Sequence, residues 1–417
     1  MNKVDKIVLE NGLTIFLLND NNKHTTMANL IVKFGGIDAK VKLNNSIYNL
    51  KSGLAHFLEH VVLESSEFGD LMKIFGSEGI RSNGLTSIEK TEFYIDAVNN
   101  FEENLELLIK GIHSPHFEDN IIEDIRKPIL EEKRKSLDNK YSNLYNANVS
   151  TYINNKNYKS ILGDIKDIKS INKKDLERVF NAFYRPINEV LIISGKFDQD
   201  KILDIIKNTY CNLIFDNNIF ERIKFPLNDK VNKKLLTIKD NTNIGRTILS
   251  FKINITGLNS YDKVMFDTYV HSFLKMNFGV MSNFNINLVK RGVIVGNLSF
   301  LGNAIDGYYI IKLEANTNNK ADFVNSILSY INDRLFIFDE DLFNLYKKGY
   351  IIDLIVRNDS IYSMLEPFIE NLISFGYENT DKVEDIERMT FKVFKDVIND
   401  ITFDNYSVTE LKPIKKA

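Results

Sequence analysis

The sequence predicts an α+β fold of two homologous domains, each a mostly antiparallel sheet covered by helices on one face. Three observations carry this expectation. Apolar–polar alternation of strand type is interspersed with segments of helical periodicity, without the regular βαβ beat of a parallel sheet. A polar, weakly periodic stretch over 215–234, holding Pro226, divides the chain near its middle. The order of elements before that stretch recurs after it, as a duplication would leave it. The expected domains are 1–220 and 221–417.

Taken in order, the first half opens with a hairpin. Lys6-Ile7-Val8-Leu9 and Leu13-Thr14-Ile15-Phe16-Leu17 flank an Asn11-Gly12 turn. Residues 28–34 form a strand closed by Gly35-Gly36. Residues 52–63 read as a buried helix: Leu54, Phe57, Leu58, Val61 and Val62 recur at helical spacing, and Ser52 is a good N-cap. A short helix over 68–75, a glycine turn over 76–79 and a strand over 91–97 follow. Helical periodicity returns over 101–112 and again from 118 toward 138, where Pro128 should kink or loosen the helix. A helix over 172–183, a buried strand over 190–195 and a helix over 201–213 close this half. In the second half, strands over 234–238 and 246–253 precede a long helix over 262–276. A strand over 308–314 then precedes helices over 321–336 and 341–355.

The bulk numbers narrow the function. A chain of 417 residues with 44% hydrophobic and 11% aromatic content can fill two cores. Net charge is −3 with both signs interspersed, so nothing points to nucleic acid or an anionic membrane. The single Cys211 rules out an internal disulfide framework and fits a reducing compartment. With no apolar leader at the start and no run long enough to span a bilayer, a cytoplasmic protein is expected.

One stretch carries chemistry. His56 and His60 are four apart in His56-Phe57-Leu58-Glu59-His60 and stand on one helix face, one above the other. Two such imidazoles make half of a tetrahedral zinc site, and Glu59 lies beside them to take a proton from water. The alternative is polar residues that merely happen to lie on a core helix. With six His in the chain, chance supplies this pattern roughly 0.005 times per chain, so the spacing is specific.

Zinc bound by two His wants a third protein ligand and an open position. His113 and His116, beside Pro115, are alternatives, but as ordinary loop residues they carry little signal. His24 lies in a polar loop and His271 is a lone His on an amphipathic helix. A carboxylate is the better candidate. Advancing about 100° per residue from Ile125 places Ile121, Ile122 and Ile129 on the buried face, with Glu132 at its middle and Glu131 about 120° away. A carboxylate in an apolar stripe must be metal-bound or held in a buried salt bridge.

These residues resemble the inverted zinc motif of the pitrilysin family of metallopeptidases, which includes insulysin and the mitochondrial processing peptidase. Gly53-Leu54-Ala55 leads into the motif as in that family. Asn83-Gly84-Leu85-Thr86, with Thr91 and Tyr94, resembles its Asn-Ala-x-Thr segment and following strand. Residues 126–132 resemble the helix whose last Glu is the third zinc ligand, and Tyr184-Arg185-Pro186-Ile187-Asn188 also matches. The resemblance is good over the first half and weaker over the second.

Two departures stand out. The family usually has an acid seven positions before the ligand Glu; here that residue is Ile125, leaving Glu123 or Asp124 to substitute. The distal half of the family often carries an Arg and a Tyr that help hold substrate and the developing oxyanion. At the matching positions this chain has Val289 and Val295, with Arg291 out of register.

The resemblance implies one Zn2+ per chain on His56, His60 and Glu132, with Glu59 as general base and Asn83 and Thr86 near bound substrate. It implies a zinc-dependent endopeptidase for peptides or small unfolded polypeptides, leader-peptide processing among its possible tasks. A homologous zinc-less partner would supply the Arg/Tyr pair in a heterodimeric clamshell, in preference to a homodimer. A non-catalytic scaffold or peptide-binding subunit of the same family is the competing expectation.

Overall fold

A computed structural model describes residues 4–153, 158, 160–215, 220–223, 229–379 and 382–414. The chain divides into two compact units, residues 1–135 with 155–225, and residues 136–154 with 226–417. The segment 215–234, expected to link the domains, lies partly outside the described residues.

The first unit begins with strands β1 (Asp5–Val8), β2 (Thr14–Asn19) and β3 (Thr26–Val32), then a ribbon of β4 (Lys40–Leu43) and β5 (Ser46–Asn49). Helices α1 (Leu54–Glu64) and α2 (Leu71–Ser77) come before the hairpin of β6 (Arg81–Thr86) and β7 (Thr91–Ala97). Next are α3 (Phe101–Ile112), α4 (Asp119–Asp138) and α5 (Lys140–Tyr152), the last belonging to the second unit. Helices α6 (Ile165–Ser170) and α7 (Lys173–Phe183), strand β8 (Glu189–Gly195), helix α8 (Gln199–Cys211) and strand β9 (Phe220–Arg222) complete it.

Its main sheet has the order β1-β2-β8-β3-β7-β6. All neighbours are antiparallel except the β2–β8 pair. The central strands β3 and β8 are buried throughout, and side chains of α1, α3, α7 and α8 join them in one core. Helix α4 runs through Pro128 without interruption.

In the second unit, β10 (Leu235–Asp240) and β11 (Arg246–Asn254) precede α9 (Ser260–Phe278) and α10 (Asn283–Lys290). The hairpin β12 (Val295–Ile305) and β13 (Tyr308–Asn316) follows, then α11 (Lys320–Asn332), α12 (Glu340–Arg357) and α13 (Ile361–Phe375). The unit closes with α14 (Val383–Glu387), α15 (Phe391–Asp400) and β14 (Tyr406–Pro413). The sheet order is β10-β14-β11-β13-β12, again with one parallel pair, β10–β14, at the matching place. Strand for strand this repeats β2-β8-β3-β7-β6, so α9 stands in the second unit where α1 stands in the first. Helix α9 carries a single imidazole, His271, set against the rings of Phe300 and Tyr350.

Besides the helices of its main core, the second sheet carries α5. Asn148 donates to Ser250 and Thr409 at 2.9 and 3.0 Å, and Leu144 packs on Ile248 and Leu411. Helix α5 leaves no periodic signal in the sequence, because half of its packing face is polar and it lacks a clear apolar stripe.

Candidate metal centre and its acid

Helix α1 is buried along almost its whole length, which fixes both imidazoles and Glu59 on a rigid element. Its N-cap is Gly53 at φ 82°, with no side-chain cap, rather than the expected Ser52. Ser52 instead bonds Asp167 at 2.7 Å and receives the Asp164 amide at 3.0 Å, so its hydroxyl is spent on a distant segment. A Cβ on Gly53 would lie 2.5 Å from the Leu162 carbonyl oxygen, so the left-handed turn and the close approach both require glycine there.

The spacing places the two imidazoles together as expected, with ring centroids 4.8 Å apart. Glu132 comes to them from α4, its Oε2 lying 3.5 Å from His56 Nε2 and 3.9 Å from His60 Nε2. Among the described residues, His56, His60 and Glu132 are the group that could hold a metal ion, with one ligand atom from each inside a 4.8 Å span. Zinc at about 2.0–2.2 Å from N and O ligands sets tetrahedral neighbours roughly 3.3 Å apart. The two carboxylate–imidazole separations lie near that, the widest span of 4.8 Å closes with a small side-chain adjustment, and two imidazoles with one carboxylate are a catalytic type of donor set, so the residues fit the ion.

Glu132 is placed as the ligand argument requires, but it is not in the middle of a buried face. Its side chain is 48% exposed. The buried stripe of α4 runs through Ile122, Ile125, Arg126, Ile129 and Lys133. That stripe is centred about 60° from Ile125, leaving Glu132 at its edge. The shift arises because two cations are buried. Arg126 Nη2 donates to the Ile171 carbonyl at 2.8 Å, and Lys133 donates to Ser160 Oγ at 3.0 Å. Glu131 points to solvent and pairs with Arg134.

Neither Glu123 nor Asp124 supports the ligands: Glu123 pairs with Arg126 and Asp124 with Lys127. A carboxylate with no place in the sequence reading does reach an imidazole. Glu64, in the last turn of α1, accepts from His60 Nδ1 at 2.7 Å. Its signal was available, since position 64 is one turn beyond His60 on the same face.

Glu59 is 7% exposed and takes a 2.5 Å hydrogen bond from the Thr86 hydroxyl. Thr86 is thus buried and spent on Glu59, whereas Asn83 is exposed on β6. Strand β6 is the outer strand of its sheet, and Gly84 brings it against α1, since a Cβ there would stand 2.7 Å from Glu59 Oε1. Burial raises the Glu59 carboxyl above its usual range; the Thr86 bond and His60 oppose that, and Glu132 adds to it. Burial, with His60 alongside, pushes His56 down to about 3, keeping it a neutral donor of its lone pair. Burial works to lower His60 too, but the Glu64 bond and the charges of Glu59, Glu64 and Glu132 raise it. With three carboxylates around two imidazoles, the site favours a dication.

The remaining imidazoles stand elsewhere. His113 is bonded to Glu189 at 2.9 Å and to the Ile109 carbonyl at 2.7 Å, while His24 and His116 are exposed. In the second unit Val289 and Val295 are 41% and 58% exposed and have no donor to offer an oxyanion. Arg291 is the C-cap of α10. A cavity of about 830 Å³ in that unit is lined by Phe266, Tyr269 and Met389, and two of its acids are held, Asp229 by Tyr308 and Asp385 by Tyr377. No helix among the described residues is long and apolar enough to cross a membrane.

The model of the insulinase family, peptidase family M16, matches residues 14–164, and that of the M16 inactive domain matches residues 170–350. The zinc protease YmfH of Bacillus subtilis is 27% identical over 252 residues, covering 60% of this chain and 56% of that protein. The zinc protease PqqE of Helicobacter pylori is 26% identical over 223 residues, covering 51% and 47%. The beta subunit of the mitochondrial-processing peptidase of Bos taurus is 29% identical over 204 residues, covering 48% and 40%. These matches span about half the length of the curated relatives. Among solved structures, an M16-like peptidase from Alicyclobacillus acidocaldarius superposes with a TM-score of 0.88 at 20% identity, over 99% of this chain and 98% of that one. A protease from Helicobacter pylori gives 0.82 at 18% identity, over 99% and 100%. These two share the fold. The chain belongs to the insulinase family of peptidases, family M16.

Proposed function

We propose that the chain is the catalytic subunit of a zinc-dependent endopeptidase acting on peptides or small unfolded polypeptides. The observation that carries this reading is the meeting of His56, His60 and Glu132 beside a buried Glu59. His56, His60 and Glu132 hold the ion, which when bound supplies the Lewis acidity that makes water a competent nucleophile near neutral pH.

Glu59 is the general base in this reading. Its carboxylate takes the proton from the attacking water and returns it to the leaving amine. Thr86 holds that carboxylate in place. The outer edge of β6 offers backbone groups to an extended peptide, which would add to the sheet past Asn83 and alongside Glu59. Such capture reads backbone rather than sequence, which suits unfolded peptides, leader segments of small modified peptides included.

Val289 and Val295 favour a heterodimer in which a homologous, zinc-less chain donates to the oxyanion. Donors of that kind are worth about 3 kcal/mol each, so the lone chain should be slow but not inert. The lone Cys211, which is exposed, is consistent with a cytoplasmic location. The test is cleavage of quenched fluorescent peptides by the zinc-loaded chain, followed by mass spectrometry of the products. Internal cleavage that disappears in Glu59→Gln supports the endopeptidase. Zinc binding without any cleavage, alone or with its partner, would favour a peptide-binding subunit. Full activity of the lone chain as a homodimer would remove the heterodimer.

A further inference from the structure

We propose that Glu64 is the positioning residue that sets His60 as a metal ligand. The proposal rests on the zinc reading above and names the part of the chain that orients the second imidazole. A ligating imidazole must present one bare nitrogen, and which nitrogen is bare is decided by what the other one bonds. Glu64 Oε1 lies 2.7 Å from His60 Nδ1, so Nδ1 carries the hydrogen and donates it. Nε2 is then left bare and faces Glu132 Oε2 at 3.9 Å.

The two imidazoles need different support. The His56 side chain is 10% exposed, and its Nδ1 is buried with no hydrogen-bond acceptor among the described residues, so packing holds that ring. The His60 side chain is 24% exposed and lies nearer the open side of the site. A ring with that much freedom requires a bond to keep its orientation, and Glu64 supplies one from the same helix. Helix α4 offers no substitute. Ile125 is buried and apolar, and Glu123, Asp124 and Glu131 are each turned to a basic residue of α4 itself. Glu64 also brings a further negative charge to a site that must attract a dication.

The experiment is zinc affinity, measured by chelator competition on the full chain and on Glu64→Gln, Glu64→Ala and Glu67→Gln. Glu67 is an exposed acid three residues on and serves as the charge control. Loss of such a carboxylate partner typically weakens binding about 10–100-fold. Glu64→Ala should fall in that range, Glu64→Gln should lose less because its amide oxygen still accepts, and Glu67→Gln should match the parent. Cobalt substitution gives a second readout, in which the visible bands of the Glu64 variants should shift while those of Glu67→Gln do not. Glu64 is exposed at a helix end, and if the Ala variant fails to fold, the Gln variant carries the test. Equal affinity in parent and both Glu64 variants overturns the positioning role while leaving the metal site standing. Equal losses in Glu64→Gln and Glu67→Gln assign the effect to overall charge and also overturn it. A parent chain that binds no zinc defeats the zinc reading itself.

Discussion

Thr86 Oγ1 donates to Glu59 Oε2 at 2.5 Å, tying the acid beside the imidazole pair to the outer strand of the sheet. A hydrogen bond to a charged group contributes about 1.5–3 kcal/mol. Thr86→Val keeps the side-chain shape and removes the donor. It should lower kcat about 10–100-fold with zinc content unchanged, while Thr86→Ser keeps most of the rate. Equal kcat in parent and Val variant would show that Glu59 is held by other means.

Gly84 is small for a spatial reason. A methyl group there would stand 2.7 Å from Glu59 Oε1 and 2.5 Å from Leu63 Cδ1. Gly84→Ala should therefore displace both, costing about 1–3 kcal/mol of stability. Activity should fall further than the stability loss explains. Thermal melts paired with kcat on the same preparation decide this, and an Ala variant with parental kcat would contradict it.

His113 and Glu189 form a buried pair far from any metal ligand in sequence, with side chains 2% and 0% exposed. Both ring nitrogens face acceptors, Glu189 Oε1 at 2.9 Å and the Ile109 carbonyl at 2.7 Å, so the doubly protonated ring fits best. Burial alone would lower His113, but Glu189, with the Ile109 carbonyl, raises it. The folded-state pKa thus lies above the ordinary value of about 6.5. The stabilisation is complete below that ordinary value and is lost as pH rises through the raised one. His113→Gln should destabilise by about 3–5 kcal/mol in mildly acid buffer, because Glu189 is left buried without its cation, with the neutral Tyr210 hydroxyl at 2.9 Å still donating to it. Melting temperatures of parent and variant across pH should converge on the alkaline side. A gap that widens with pH would reverse the assignment.

The candidate site was legible where its cause is local. The four-residue spacing of His56 and His60 comes from one helix, and the strand over 91–97 and the helix over 101–112 have the boundaries their periodicity gave. What could not be read depends on distant partners. Ser52 has the side chain of an N-cap, but Asp164 and Asp167, more than a hundred residues on, engage its hydroxyl. The isoleucines of α4 alone put Glu132 at the middle of the buried face, and only the Ile171 and Ser160 partners of Arg126 and Lys133 explain why that face is turned away from it. Helix α5 was invisible because its face is matched to Ser250 and Thr409 of the second sheet rather than to an oily core. Glu64 differs from these, since its spacing from His60 was in plain sight.

Side chains from α1 and α4 are expected to share one divalent ion, and metal content is the decisive readout. Zinc per chain should be measured after dialysis for the parent, Glu59→Gln and Glu132→Ala. About one zinc per chain is expected in the first two, with activity lost in Glu59→Gln. Glu132→Ala should retain far less. A Glu132→Ala chain that keeps a full zinc at parental affinity, or a parent that holds none, would rule out a shared ion at these side chains.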